Sequence, residues 1–216
     1  PESMETTHYS AMDKLGNTVG ITTTINLSYG NKKIVDGAGF LLNNEMDDFA
    51  SSPGSQNAFG LIGYEANSIK PAKRPLSSMS PTIVLTPEGE PLMTIGAAGG
   101  SRIITTVLQV IISVVDHNLS VQDAINLGRT HSQWIPDVIR YEGKNKMNTE
   151  FNQFLPSLSE KQISELEELD HKFEDGNVES GMYYLARAHG IMYKKGQFFT
   201  GVDWRGNGEI SDGITY

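Results

Sequence analysis

The feature that most constrains the fold is a change of periodicity in the middle of the chain. From Ile103 to Val115 the apolar residues recur at helical spacing, which predicts a helix with a broad apolar face. Short β-branched or apolar runs bounded by turn residues predict strands on both sides of it. These runs are His8–Met12, Thr18–Ile25, Gly39–Leu42, Thr82–Thr86, Leu92–Ile95 and, after the helix, strands within Gly190–Thr200. Strands, then helices, then strands indicate an α+β layered sandwich rather than alternating βαβ units.

Two shorter helices are predicted after the long one. Ser120-Val-Gln-Asp123 is a capping-box-like start, and Gly128 is a plausible stop. Ser159-Glu-Lys-Gln162 opens the third helix in the same way. The residues expected to face inward on this helix are Ile163, Leu166 and Leu169.

Composition excludes several classes of protein. The 216 residues suit one substantial core. Asp and Glu total 26 against 17 Lys and Arg, a formal net charge of -9, which disfavours nucleic acid or an anionic membrane surface as partner. The absence of cysteine excludes disulfides, thiolate catalysis and Cys-ligated metal. No apolar run reaches the roughly 18 residues of a membrane-spanning helix, so no membrane insertion is expected.

A threonine pair, Thr6-Thr7, stands almost at the beginning of a strand–turn–strand pattern. A Thr that opens a core strand acts as a nucleophile whose general base is its own α-amine, once the residues before it are removed. Thr6 equally suits a strand simply because it is β-branched. The pair alone leaves both interpretations open.

Two polar segments follow. Thr22, Thr24 and Asn26 alternate along one strand and therefore share a face, which either orients a nucleophile or is merely solvated. The segment Asn43–Phe49 holds two amides and three carboxylates, a set that is costly to bury unless it meets cations. It has no His and no recognisable metal-ligand spacing, so it either holds an ammonium group or is a solvated acidic turn.

Two more segments carry possible chemistry. Ser77, Ser78 and Ser80 lie between Pro75 and Pro81, which stiffen the loop. No G-x-S-x-G elbow is present, which argues against a serine triad. The glycine-rich segment Gly96–Arg102 follows a strand and opens the long helix, an arrangement that suits an anion or oxyanion site. It lacks the Gly-Lys-Ser/Thr ending of a phosphate P-loop, and no histidine pair suggests a metal, so neither cofactor nor metal is predicted.

Together these segments resemble the small subunit of the γ-glutamyltranspeptidases, also called glutathione hydrolases. The resemblance runs in order from Thr6 to about Asp137. The segments that carry it are Thr6–Ser10, Thr24–Asn26, Leu42–Phe49, Lys73–Thr82 and Gly96–Ser101.

The resemblance implies an αββα sandwich of the N-terminal nucleophile hydrolase type, which matures by cutting its own precursor before the catalytic threonine. By position, Thr6 matches that nucleophile and Thr24 its supporting hydroxyl, while Gly99 and Gly100 match the oxyanion hole. The remaining matches are Asn26, Glu45 and Asp48 for the substrate α-amino group, Ser77 and Ser78 for its α-carboxylate, and Phe59 for a lid in the long loop Ser51–Pro75.

The resemblance also implies the organisation of the protein. Residues 1–5 would be a residual precursor segment, and residues 6–216 one catalytic domain completed by a separate large subunit from the same precursor, in a heterodimer. That subunit would supply the arginine that pairs with the substrate carboxylate, and the expected location is extracytoplasmic, periplasmic or secreted. The sequence diverges from the family between Asn145 and Val178, and the tail after Asp203 resembles it only loosely.

The implied activity is γ-glutamyl acyl transfer. Thr6 attacks the γ-glutamyl amide of glutathione or a related compound, and water, an amino acid or a dipeptide then takes the acyl group. The alternatives are an amidase of the same fold, cephalosporin acylase-like or polyglutamate-processing, and a non-catalytic homologue kept for assembly. Asn26, Glu45 and Asp48 argue against the acylase, which needs no α-amino recognition, and the matches at Thr6 and Thr24 argue against an inactive protein.

Overall fold

The chain begins with a two-stranded antiparallel ribbon. In the computed structural model, which describes residues 4–143, 157–175 and 185–205, strands β1 (Met4–Met12) and β2 (Thr18–Leu27) pair along their whole length. The Asp13 carboxylate closes their turn by accepting the amide hydrogens of Leu15 and Asn17. Because β1 starts at Met4, Thr6 lies inside the strand instead of opening it, which corrects the predicted start.

The central sheet has four antiparallel strands in the order β3-β4-β8-β9. Its strands are β3 (Thr82–Leu85), β4 (Pro91–Ala98), β8 (Arg187–Lys194) and β9 (Gln197–Val202). One face packs against the β1–β2 ribbon. The His8 ring of the ribbon lies directly on Gly96 of β4, where any Cβ would overlap it, so glycine is required for this close approach.

The other face of the sheet is covered by two helices. Helices α1 (Arg102–Val115) and α2 (Val121–Asn126) pack on β4, β8 and β9, and the shared core is almost completely buried. The core side chains include Met93, Ile95, Ile103, Val107, Val110, Val114 and Ile125. The predicted long helix is confirmed, and Ser120 caps α2 by accepting the Asp123 amide. Ribbon, sheet and helices thus form three successive layers.

A small third sheet follows α2 in the chain and contacts α1. It comprises β5 (Thr130–His131), β6 (Ile139–Tyr141) and β7 (Phe173–Asp175), with α3 (Glu160–Glu167) between the last two strands in sequence. The capping box of Ser159 and Gln162 at the start of α3 is confirmed. Ile163 and Leu166 are half-buried, but Leu169 is exposed, so its predicted inward position is wrong.

The predicted strand Gly39–Leu42 is also wrong. The segment forms only one isolated bridge, between Ile34 and Leu41. Gly37 and Gly39 both adopt a left-handed backbone with φ of 74°, which interrupts extended structure and produces successive turns. The apolar residues there imitate a strand in sequence without forming one.

A buried ionic cluster joins the third sheet to the end of β9. The Arg205 guanidinium lies 2.7 Å from a Glu142 oxygen and 3.1 Å from an Asp203 oxygen, and Arg129 lies 2.7 Å from the other Asp203 oxygen. All four side chains are almost completely buried. Removing one member of such a cluster leaves a charge buried without compensation. The cluster therefore holds the chain in place just before residues 206–216.

Some predicted features lie outside the described residues. These are residues 1–3 of the expected precursor segment, residues 145–156 and 176–178 of the divergent region, and the tail 206–216.

Candidate active site

The two threonines at the centre of the predicted site face each other across the ribbon. Thr6 and Thr24 are directly opposed in the pairing of β1 and β2. The Thr6 hydroxyl donates to the Thr24 hydroxyl oxygen over 3.1 Å, and Thr6 is buried. The alternation of strand side chains thus places the Thr24 hydroxyl where it can orient that of Thr6.

A bulge in β2 places Asn26 beside this pair. Met4 pairs with Leu27 whereas Thr6 pairs with Thr24, so Ile25 and Asn26 together oppose a single residue. Asn26 adopts a left-handed backbone with φ of 76°, a conformation that asparagine tolerates better than most residues. Its backbone amide donates to the Thr24 hydroxyl oxygen over 2.9 Å. The bulge thus ties the Asn26 backbone to the dyad.

Asn44 holds the bulge against the acidic segment. Its carbonyl accepts from the Asn26 side chain over 3.2 Å, and its side-chain oxygen accepts the Leu27 amide hydrogen over 3.1 Å. A 3₁₀ turn, Glu45–Asp48, begins immediately afterwards. This places the two candidate carboxylates next to Asn26.

The carboxyl groups of Glu45 and Asp48 are half-buried and hydrogen-bond to each other. Burial is the main cause that raises the pKa of Glu45 to about 8, with the hydrogen bond and the charge of Asp48 adding to it. Burial also raises the pKa of Asp48, although the proton donated by Glu45 opposes this. In the free protein at neutral pH, Glu45 therefore holds a proton that it shares with Asp48.

The serine loop reaches the same place through a bridging side chain. Asn67 donates to the Asp48 carbonyl over 2.7 Å and accepts the Leu76 amide hydrogen over 3.0 Å. Ser77 and Ser78 follow Leu76, and Ser77 accepts the Met79 amide hydrogen over 3.2 Å. Asn67 therefore sets the separation between the carboxyl pair and the two serines.

The glycine segment after β4 makes a sharp turn into α1. Gly99 is buried and packs on Ala186, with φ of 148°, and Gly100 continues with φ of 60°. Among the described residues, no acceptor takes the amide hydrogens of Gly99, Gly100 and Ser101. These amides, which include those of the two predicted glycines, lie at the turn into α1, where a developing negative charge is stabilised.

The long loop is anchored to the acidic turn. Asp47 accepts the Ala58 amide hydrogen over 2.9 Å, and Asn57 accepts the amide hydrogens of Phe59 and Leu61, each over 3.0 Å. These bonds hold the half-buried Phe59 at the edge of the site. The loop is thus organised by polar side chains and contains a short 3₁₀ turn, Glu65–Asn67.

One cavity brings these elements together. Of the ten predicted site residues, all but Gly99 line it: Thr6, Thr24, Asn26, Glu45, Asp48, Phe59, Ser77, Ser78 and Gly100. Sequence reasoning missed Asn44, Asn67 and Ser101, although two of them lie in or beside the motifs already singled out. Within the described ranges, no three histidine or carboxylate side chains converge as metal ligands do.

His8 lies two residues after Thr6 in β1 and plays a packing role. Its two ring nitrogens lie 2.8 Å from the Thr22 hydroxyl oxygen and 3.0 Å from that of Ser10. Burial, helped by His189, lowers the pKa of His8 to about 4, so the ring is neutral at physiological pH. Because both ring nitrogens are engaged elsewhere, His8 is a packed histidine and not the base for Thr6.

Comparison with known proteins places the chain. A sequence model of the gamma-glutamyltranspeptidase family matches residues 1–213. The chain belongs to the γ-glutamyltranspeptidase family. It is similar to the glutathione hydrolase proenzyme of Escherichia coli K12, with 51% identity over 141 residues, which is 65% of this chain and 24% of that protein. It is 40% identical to that of Pseudomonas aeruginosa over 208 residues, 96% of this chain and 34% of that protein.

A solved structure extends the relationship to the fold. The γ-glutamyltranspeptidase of Pseudomonas nitroreducens complexed with L-DON shares 39% identity and a TM-score of 0.81, covering 97% of this chain and 99% of the matched chain. This similarity confirms the predicted α+β sandwich of the N-terminal nucleophile hydrolases. The chain spans only a quarter to a third of the length of these two glutathione hydrolase proenzymes. Among the described residues, no helix is long and apolar enough to cross a membrane.

Proposed function

We propose that this chain supplies the nucleophile and the γ-glutamyl pocket of an acyl-transfer enzyme. The observation that supports this most strongly is the buried Thr6–Thr24 hydroxyl pair at a cavity with carboxyl groups on one side and serine hydroxyls on another. A γ-glutamyl group carries an ammonium and a carboxylate on one carbon. A site that offers acids to the first and hydroxyls to the second matches that chemistry.

Maturation would come first. In the chain as given, the nitrogen of Thr6 is part of a peptide bond to Glu5. The Thr6 hydroxyl would attack the Glu5 carbonyl carbon, and the amide nitrogen would take the hydroxyl proton as the peptide bond breaks and an ester forms. Water would then hydrolyse the ester, leaving Thr6 with a free α-amine that serves as its general base.

Turnover would follow the same geometry. The Thr6 oxygen attacks the γ-amide carbon, its proton passes through the α-amine to the leaving amine, and a γ-glutamyl ester remains. The amides at the start of α1 stabilise the oxyanion of each tetrahedral intermediate. Water yields glutamate, whereas an amino acid or dipeptide amine yields a new γ-glutamyl amide.

The rest of the protein belongs to the same proposal. Because the chain spans a fraction of its relatives, a large subunit from the same precursor would complete the site and contribute the cation for the substrate carboxylate. Glutathione is the expected donor. Neither the acylase nor the inactive alternative is favoured by an observation, since the carboxyl pair at Glu45 and Asp48 suits an amine and the dyad is intact.

The test uses the full-length protein. Mass spectrometry should find a chain that begins at Thr6 in the wild type and only the uncut precursor in Thr6→Ala. The wild type should release amine from a γ-glutamyl anilide much faster than from the matching glutaryl anilide, which lacks the α-amino group. Cleavage before position 6 in pure Thr6→Ala, or equal rates on the two anilides, would contradict the proposal.

A further inference from the structure

A glutamine outside the predicted motifs is bonded to the turn that precedes α1. Gln133 follows β5, 32 positions after Ser101 in the chain. Its side-chain oxygen accepts the Ser101 hydroxyl hydrogen over 2.7 Å. The same oxygen lies 2.8 Å from Nε2 of His131, a buried histidine. One side chain thus connects the cavity wall to the third sheet.

The surrounding bonds determine the orientation of this amide. The Gln133 nitrogen donates to the Ile135 carbonyl over 3.1 Å, so its oxygen must face Ser101 and His131. Burial is the main cause that lowers the pKa of His131, which keeps the ring neutral. Because the Gln133 oxygen can only accept, Nε2 carries the hydrogen and donates to it, and Nδ1 lies 2.8 Å from the Thr105 hydroxyl oxygen. Thr105 lies in the first turn of α1, so the chain of bonds returns to that helix.

Ser101 does not cap its own helix. A serine at this position usually accepts an amide hydrogen from the first turn, yet Ser101 makes no such bond and adopts a helical backbone. Its hydroxyl hydrogen is donated to Gln133. The amides of Gly100 and Ser101 remain without an acceptor in the described structure, at the wall of the cavity.

We propose that Gln133 is a positioning residue that holds the Gly100–Ser101 turn in the geometry needed to stabilise the oxyanion. It does so through the Ser101 hydroxyl, with His131 and Ile135 fixing the glutamine in turn. This inference rests on the proposed acyl transfer. Because the oxyanion forms only during reaction, the contribution of Gln133 is made to the transition state and not to substrate binding.

The loss of kcat should be smaller than the loss caused by removing an oxyanion donor. Loss of a whole oxyanion donor typically costs about 100- to 1,000-fold in kcat. Removing the bond that orients the turn leaves the amides present but less well placed, so a fall of about 10- to 100-fold is expected. KM for the γ-glutamyl donor should change less than about threefold.

The experiment compares four variants of the full-length protein: Gln133→Met, Ser101→Ala, the double variant and Ser101→Thr. Rates are divided by the amount of chain that begins at Thr6, so that incomplete maturation does not enter kcat. Gln133→Met and Ser101→Ala should each lower kcat with KM preserved, and the double variant should fall no further than the worse single one. Ser101→Thr restores the hydroxyl and should recover most of the kcat that Ser101→Ala loses.

Several outcomes would overturn the inference. These are unchanged kcat in Ser101→Ala, a rise in KM that accounts for the loss, or multiplicative losses in the double variant. If Gln133→Met does not fold, the comparison of Ser101→Ala with Ser101→Thr still decides, because only the first removes the bond. A wild type without γ-glutamyl turnover would refute the proposed function itself, whereas an active wild type with indifferent variants refutes only the role of Gln133.

Discussion

The affinity for substrate should depend on pH, because Glu45 and Asp48 share a proton in the free site. The pKa of Glu45 is raised to about 8 by burial and by its neighbour, so the free site is protonated at neutral pH. A ligand ammonium binds best when both carboxyl groups are ionised, and it must therefore displace this proton. Ligands that carry the α-amine should consequently bind more tightly as the pH rises towards 8.

The magnitude follows from proton competition. For each pH unit below the raised pKa, the ionised fraction of the pair falls about tenfold, equivalent to about 1.4 kcal/mol. Because the pair is half ionised at about pH 8, the Kd for L-glutamate, the expected hydrolysis product, should rise by up to about 50-fold between about pH 8 and pH 6. Both side chains are only half-buried, so water moderates the effect and about 10-fold is the lower expectation.

Isothermal titration calorimetry of the matured protein tests this directly. L-Glutamate titrated near pH 7 in two buffers of different ionisation enthalpy should show release of about one proton per ligand. Glu45→Gln, which cannot hold the proton, should bind more weakly at pH 8 but with little pH dependence, and glutarate should release none. If wild-type binding releases no proton, or if Glu45→Gln keeps the full pH dependence, the reasoning about the pair is refuted.

Three further changes have defined outcomes. Thr24→Val removes the acceptor of the Thr6 hydroxyl and leaves the buried Asn26 backbone amide without its acceptor, so kcat should fall and the unfolding free energy should drop by about 1–3 kcal/mol. Thr24→Ser should retain both. Equal behaviour of the two variants in kinetics and urea unfolding would contradict this. Asp47→Ala removes the bond that holds the loop at Ala58. Chromatography of the products should show more hydrolysis relative to dipeptide transfer than in the control Glu90→Ala, at an exposed residue. An unchanged product ratio would show that the loop does not shield the ester. Asp203→Asn should lower the unfolding free energy by about 3–5 kcal/mol, because Arg129 and Arg205 lose their buried partner. The control Asp116→Asn, at an exposed residue, should change it by less than about 0.5 kcal/mol. Similar unfolding midpoints for the two variants would be inconsistent with the cluster's role.

Much of the local structure was predictable. The alternation of Thr22, Thr24 and Asn26 predicted a shared face, and the helical spacing from Ile103 to Val115 predicted α1. These patterns are readable because side-chain direction repeats every two residues in a strand and about every 3.6 in a helix. The same reasoning failed at Gly39–Leu42, where left-handed glycines override an apolar run. It also failed at Leu169, which lies beyond the end of α3.

The candidate site was also only partly predictable from the sequence. The residue types were visible in the sequence because an ammonium, a carboxylate and an oxyanion each require particular partners. The bridge made by Asn67, the bond from Gln133 to Ser101 and the cluster of Arg129 with Asp203 were not visible. Each joins segments separated by many residues, and no local periodicity records such a pairing.

By itself, then, the sequence determined which chemical groups this protein possesses and which strand or helix carries them, because those follow from composition and local repeat. Only the tertiary structure decided how the groups meet: a bulge ties the Asn26 backbone to the dyad, burial gives Glu45 a shared proton, and Gln133 binds the Ser101 hydroxyl at the start of α1. The physical reason is that orientation, pKa and desolvation depend on neighbours brought together by folding, whose distance along the chain carries no signal.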